Sequence, residues 1–127
     1  MKFTYEQLNK EIVTLGGIKI NIPVKQEEDF STETENETQQ KPVMRYMTYK
    51  DAIIDALMAN YQDDEKHRKG IAKNNRFLIA ERLTNAAEGS EVTLTSEEIS
   101  LTKELVGVLW SPLIVGPTWR FLEGELK

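Results

Sequence analysis

One histidine is present in the 127 residues, His67, within the run Asp63-Asp64-Glu65-Lys66-His67-Arg68-Lys69. A lone imidazole acts as a general base or metal ligand only with partners that orient it. No His, Cys and carboxylate grouping has metal-ligand spacing, so His67 reads as a solvated helix residue. Ser90, Ser96 and Ser111 have no nucleophile-elbow pattern around them, and a triad would have to recruit His67. Glu97-Glu98 is a carboxylate pair, accounted for by its place at a helix start. The remaining run with chemical potential is basic. Lys66, Arg68, Lys69 and Lys73, with His67 and Arg76, could meet phosphates from a helix over 66–76. Asp63, Asp64 and Glu65 stand beside them and would repel the same phosphates. The expectation is therefore no enzyme, no catalytic residue, no cofactor and no metal.

Aromatic residues offer a different kind of function. Trp110, Trp119 and Phe121 lie close together in the chain, with Leu113, Ile114 and Val115 between them. They are either the anchors of a last helix or an exposed partner surface, since Trp is favoured at binding hot spots. Phe30 is the one apolar residue between Gln26 and Lys41. That segment carries Glu27, Glu28, Asp29, Glu33, Glu35 and Glu37 without Lys or Arg before Lys41. It cannot bury enough surface to offset its ordering entropy, so 26–41 is expected to be a disordered acidic loop. Phe30 is the natural anchor if that loop docks on a partner.

The loop also explains the overall charge. The chain carries −5 at neutral pH. The loop alone contributes −6 over residues 26–40, leaving +1 for the rest. An acidic chain argues against broad phosphate-backbone binding. Cysteine is absent, which excludes disulfides and thiolate metal sites and suits a reducing cytoplasm. No apolar run approaches the roughly 18 residues of a membrane span, and the start, Met1-Lys2-Phe3-Thr4-Tyr5-Glu6, lacks the apolar core of a signal peptide.

The elements that must position these residues can be read in order. Thr4 to Gln7 has capping-box form, and Phe3-Thr4-Tyr5 also suits a strand. Ile12 to Leu15 and Ile18 to Ile22 flank Gly16-Gly17 as a hairpin, with Ile18, Ile20 and Ile22 on the covered face and Pro23 ending the pairing. Val43 to Met47 is a third strand. Thr48 caps a helix running to about Tyr61, with Ile53, Ile54, Leu57, Met58 and Tyr61 on one face. A second helix presents Ala72, Arg76, Ile79, Ala80, Leu83 and Ala87 to the core, with Phe77 at the margin, and stops near Gly89. Glu91 to Leu94 is a short strand. Thr95 to Glu98 is the strongest capping box, opening a helix to Leu109 or Trp110 with Ile99, Thr102, Leu105, Val106 and Leu109 inward. Ser111-Pro112 restarts the chain, Gly116 breaks it, and Pro117 opens a last short helix through Leu122. Residues 1–127 are thus expected to form a single α+β domain, a small N-terminal β-hairpin or sheet packed with three to four α-helices.

With those motifs placed, residues 48–124 resemble a group of small proteins encoded by tailed phages and prophages. The residues that carry the likeness are Ala52-Ile-Ile-Asp-Ala-Leu57, Arg76-Phe77, Val92-Thr-Leu-Thr-Ser-Glu-Glu-Ile99, Leu105-Val106-Gly107, Ser111-Pro112-Leu113, Val115-Gly116, Trp119 and Leu122-Glu123-Gly124. Pro117 departs from the pattern, which has a helix-compatible residue there, and the acidic loop is an insertion. The resemblance implies phage origin and no residue roles. With that origin, the missing catalytic motifs, the acidic loop and the C-terminal aromatics lead to the expectation of a protein–protein interaction module in the host-cell cytoplasm or on the virion, a virion-assembly chaperone or adaptor or a host-protein-binding factor, whose partner is a phage structural or host protein. A nucleic-acid-associated regulator using the basic run 66–76 is the alternative. No membrane partner is expected, and a homo-oligomer stays open.

Overall fold

The computed structural model describes residues 1–24, 43–61 and 63–125. Among them the chain runs β1 (Lys2–Thr4), α1 (Tyr5–Leu8), a 3-10 turn (Leu15–Gly17), β2 (Asn21–Val24), β3 (Val43–Tyr46), α2 (Tyr49–Met58), α3 (Gly70–Thr84), β4 (Glu91–Thr93), α4 (Ser96–Leu109) and α5 (Pro112–Leu122). The fold is α+β, with two small antiparallel sheets, β1 with β4 and β2 with β3. The stretch 26–41, with Phe30, lies outside the described residues.

Helix α2 is the centre, although the C-terminal stretch is the densest apolar run in the sequence. Tyr49, Ala52, Ile53, Ala56 and Leu57 are all buried, and α3, α4, α5 and α1 each pack against α2. The small side chains Ala52 and Ala56 let the neighbouring helices approach closely, and Ile53 and Leu57 fill the space between them. Its start is a full capping box. Asp51 N–H donates to the Thr48 hydroxyl at 3.2 Å, and the Asp51 carboxylate accepts from Thr48 N–H at 2.9 Å. Arg45 clasps that carboxylate from β3, so strand and helix are fixed to each other. α2 ends at Met58, three residues before Tyr61. Tyr61 is nevertheless buried, and its hydroxyl donates to Ala56 O at 2.6 Å.

Four other expectations meet corrections. Gly16 and Gly17 both take φ 75°, as a tight reversal requires, but the reversal is a 3-10 turn closed by Thr14 and Ile18, and the two arms pair antiparallel only at the single bridge Val13 to Lys19 rather than along a ladder. Ile18 is exposed while Ile20 and Ile22 are half-buried, because among the described residues nothing packs over Ile18. Pro23 does not end the pairing: β2 continues past it, with Pro23 opposite Met44 and Val24 opposite Val43. Met47 N–H donates to Ile20 O. Antiparallel alternation then puts Pro23 at a non-hydrogen-bonded pair, where no N–H is required.

In the same way α5 runs unbroken through Gly116 and Pro117. The bond Pro117 cannot make would go to the carbonyl of Leu113, an exposed residue whose carbonyl water can reach. At the N-terminus both readings hold at once, because β1 runs straight into α1. Thr4 is the cap that joins them, with a complete capping box to Gln7. β1 then pairs with β4, Phe3 opposite Val92.

Candidate partner-binding surface

Helices α3 and α4 both pack against α2. Between them lies a groove of about 490 Å³ lined by Asn75, Leu78, Ile79, Glu81, Arg82, Glu97, Glu98 and Leu101. A second concavity of about 400 Å³ shares Glu97 and Leu101 and extends past Lys66, Ser96, Ser100 and Glu104. α3 is apolar on more than its core side. Arg76, Ile79, Ala80 and Leu83 are buried, yet Ile71 is 79 % exposed, Phe77 47 % and Leu78 46 %. Ile71 and Leu78 are seven residues apart, two helical turns along one face, and Leu78 forms the groove floor with Ile79 and Leu101. A helix with apolar side chains on several faces has an unpartnered face when it stands at a surface.

The groove walls carry four carboxylates, Glu81, Glu97, Glu98 and Glu104, against Arg82 and Lys66. Partial burial pushes the Glu98 carboxyl up, but the Thr95 backbone N–H and Arg82 outweigh it and leave it below the usual carboxylate range. Glu104 is held below that range first by the hydrogen bond to His67 and then by Lys66. Among the described residues, Glu81 and Glu97 have no ion pair.

His67 is not a solvated helix residue. It lies in the turns that precede α3, is 2 % exposed, and its Nε2 sits 2.8 Å from Glu104 Oε2. Its ring packs against Tyr61, with centroids 5.9 Å apart. Arg76 lies alongside, its guanidinium over the Tyr61 ring at 5.1 Å. Arg76 Nε donates to Leu57 O at 3.0 Å and Nη1 to His67 O at 2.7 Å. Leu57 is in the last turn of α2, where unpaired carbonyls and the negative end of the dipole favour a cation. Arg76 was legible as a core position from its spacing to Ile79, Ala80 and Leu83. The partnership of His67 with Glu104, 37 residues apart, left no local signal.

These carboxylates give the fold an acid limit. Folded-state values are depressed at Asp51 (where Arg45 and Thr48 overcome the upward push of burial), Glu98 and Glu104. A depressed carboxylate stabilises the fold above its unfolded value, near 4, and that stability is lost as pH falls through the folded value. Burial first, then Asp51, raises Asp55 and opposes the trend in part. Urea midpoints should stay level from about pH 7 to 5 and fall below about pH 4. A Glu104→Gln variant should show a shallower fall.

The residues singled out in the sequence do not form one site. Trp110 is half-buried, and its Nε1–H donates to Ala52 O at 3.0 Å, pinning the end of α4 to α2. Trp119 is 38 % exposed, and its Nε1–H donates to Lys103 O at 3.0 Å while Lys103 Nζ lies 4.9 Å from the ring centroid. Phe121 is core, not contact surface: it is buried and stacked between Tyr49 and Phe3. The basic helix over 66–76 is also corrected, since α3 begins only at Gly70 and 66–69 are turns and bends. Lys66 pairs with Glu104 at 3.1 Å and Arg68 with Glu65 at 3.9 Å. Lys69 is the residue before α3, and Lys73 borders a cleft with Met58 and Asn60.

At the other side of the fold, Val13, Leu15, Pro112, Leu113, Pro117 and Arg120 enclose a smaller cleft of about 210 Å³. Among the described residues, no group of three or more His, Asp or Glu is placed to hold a metal, and no helix is long and apolar enough to cross a membrane. A scan against protein-family models, a search of curated proteins and a search of solved structures each return no match.

Proposed function

We propose that this chain is a non-enzymatic protein–protein interaction module that receives its partner in the groove between α3 and α4. The observation that carries this reading is the exposed apolar face of α3, with Leu78 and half-buried Leu101 at the groove floor. Groups that could have served chemistry are engaged in holding the fold. His67 and Glu104 tie the 63–69 turns to α4, and Arg76 ties them to α2. Two of the four lysines and arginines suited to phosphate already face carboxylates. The resemblance to small phage proteins makes the partner a phage structural protein or a host protein, in an assembly or host-binding role.

Leu78 is half-exposed, so Leu78→Asp should lower the unfolding free energy by about 1–1.5 kcal/mol, the lost partial burial plus the poorer helix propensity of Asp, and leave the protein folded. The same substitution puts a carboxylate on the groove floor and should lower partner capture about tenfold or more, because a desolvated unpaired charge at an interface is costly. Trp119→Ala should leave capture unchanged. The opposite pattern, with Leu78→Asp harmless and Trp119→Ala deleterious, would move the interface to the C-terminal face.

A further inference from the structure

We propose that the element received by the α3–α4 groove is an amphipathic helix with lysine or arginine along its flanks. This rests on the groove being the interface. Geometry supplies the first half of the argument. The apolar part of the groove lining is Leu78 and Ile79 from α3 and Leu101 from α4, bordered by charged residues of the same two helices. α3 has 15 residues, a length of about 22 Å at 1.5 Å per residue. Apolar positions shared between two helices admit one row of side chains at i, i+3 or i+4, and i+7, which is how a helix fills a groove. A helix laid there would give α3 the neighbour that its exposed Ile71 and Leu78 lack.

Charge supplies the second half. The wall cations are already neutralised, Arg82 by Glu98 and Lys66 by Glu104. Glu81 on α3 and Glu97 on α4 have no such partner among the described residues. Both line the groove. A neutral helix would bury part of each carboxylate without compensation, and an acidic helix would add repulsion. A helix with cations on both flanks pairs one wall with each, which fixes its rotation in the groove as well as its charge. The same carboxylates oppose a phosphate backbone.

The test uses the full chain, isotope-labelled for amide NMR, and three synthetic peptides of about 15 residues, roughly four helical turns. The first has Leu along one face and Lys on both flanks, the second replaces each Lys by Glu, and the third scrambles the first. The Lys peptide should shift the amides of Leu78, Glu97 and Leu101. Its affinity should fall about fivefold or more in the Glu81→Gln/Glu97→Gln variant, and again on raising salt from about 50 to 300 mM. Both substitutions are at exposed positions, so the variant should stay folded, its urea midpoint lowered only slightly by the loss of a charge from the first turn of α4. Equal groove binding by the Glu peptide would overturn the basic-helix inference and leave the groove reading standing. Shifts centred on Leu15 and Leu113 would overturn the groove reading itself. Silence from all three peptides at about 1 mM, a concentration that populates even a weak complex, would overturn the basic-helix inference, with the Leu78→Asp capture result judging the groove separately. Self-association of the chain with the groove amides shifted would assign the surface to a second copy and overturn the inference.

Discussion

Replacing Phe121 by Ala is expected to lower the unfolding free energy by about 4 kcal/mol, the middle of the range for a buried aromatic truncated to a methyl. Its ring lies 4.5 Å from that of Tyr49 at an interplanar angle of 6°, and 5.0 Å from that of Phe3 at 26°. One side chain therefore joins α5 to the first turn of α2 and to β1. Stacked pairs of this kind add about 0.5–1.5 kcal/mol beyond the area they bury. The cavity left by the substitution would be walled by two other rings attached to different elements, so collapse around it is hindered and the cost stays high. Against a domain stability of roughly 5–15 kcal/mol, the variant should sit near the edge of folding at room temperature. Urea denaturation with an unchanged m-value is the measurement. Trp119→Ala is the contrast: with its ring 38 % exposed, it should cost about 1 kcal/mol. A Phe121→Ala loss no larger than that of Trp119→Ala would mean that the aromatic stack is not part of the core.

The comparison explains what kind of information the chain shows openly. The caps at Thr4, Thr48 and Thr95 are legible because both partners of each lie within three residues, and all three form capping boxes. The core faces of α2 and α4 are legible in part from spacing: Ile53, Leu57, Thr102, Leu105 and Val106 are buried, whereas Met58 and Leu109, expected inward, are exposed at the ends of their helices, and α2 buries Tyr49, Ala52 and Ala56 instead. What is not legible depends on which side of an element is covered. Local rules have Pro23 end its strand and Gly116 break the last helix so that Pro117 opens a new one. Instead Pro23 stands at a pair that needs no N–H, and Pro117 sits inside a continuous α5, leaving only the carbonyl of exposed Leu113 without its helical donor. Ile18 obeys the alternation that puts it in phase with Ile20 and Ile22, but alternation cannot say where the cover stops. The pairing of β1 with β4 joins positions as far apart in sequence as Phe3 and Val92, with Leu94 N–H donating to Met1 O. The groove had a faint signal. α3 has more apolar residues than one core face can use, and Phe77 and Ile71 were that surplus.

Arg76→Met should cost about 3 kcal/mol, and the reason lies in what the substitution leaves behind. Methionine fills much of the same volume, so packing is largely kept. The carbonyls of Leu57 and His67, however, lose a charged donor at 3.0 and 2.7 Å inside the protein. Each stranded acceptor costs about 1–3 kcal/mol. The loss of the guanidinium over Tyr61 adds a smaller penalty. Part is returned, because a buried cation no longer has to be desolvated. Arg76→Lys keeps the charge but not the fork. An ammonium has three donors but on one nitrogen, whereas Arg76 reaches the two carbonyls from separate atoms, Nε and Nη1, so lysine should recover less than half of the loss. The damage should also have a place. The turns carrying Lys66 and His67 are held to α2 by Arg76 and to α4 by Glu104. Amide exchange at Arg68, whose N–H bonds to Asp64 O at 2.9 Å, should therefore accelerate more than exchange at Leu94. A uniform acceleration would instead mean that Arg76 stabilises the whole fold without organising this corner. A variant within about 0.5 kcal/mol of the parent would show that the two carbonyls find other donors and that α3 is set against α2 by Ile79, Ala80 and Leu83 alone.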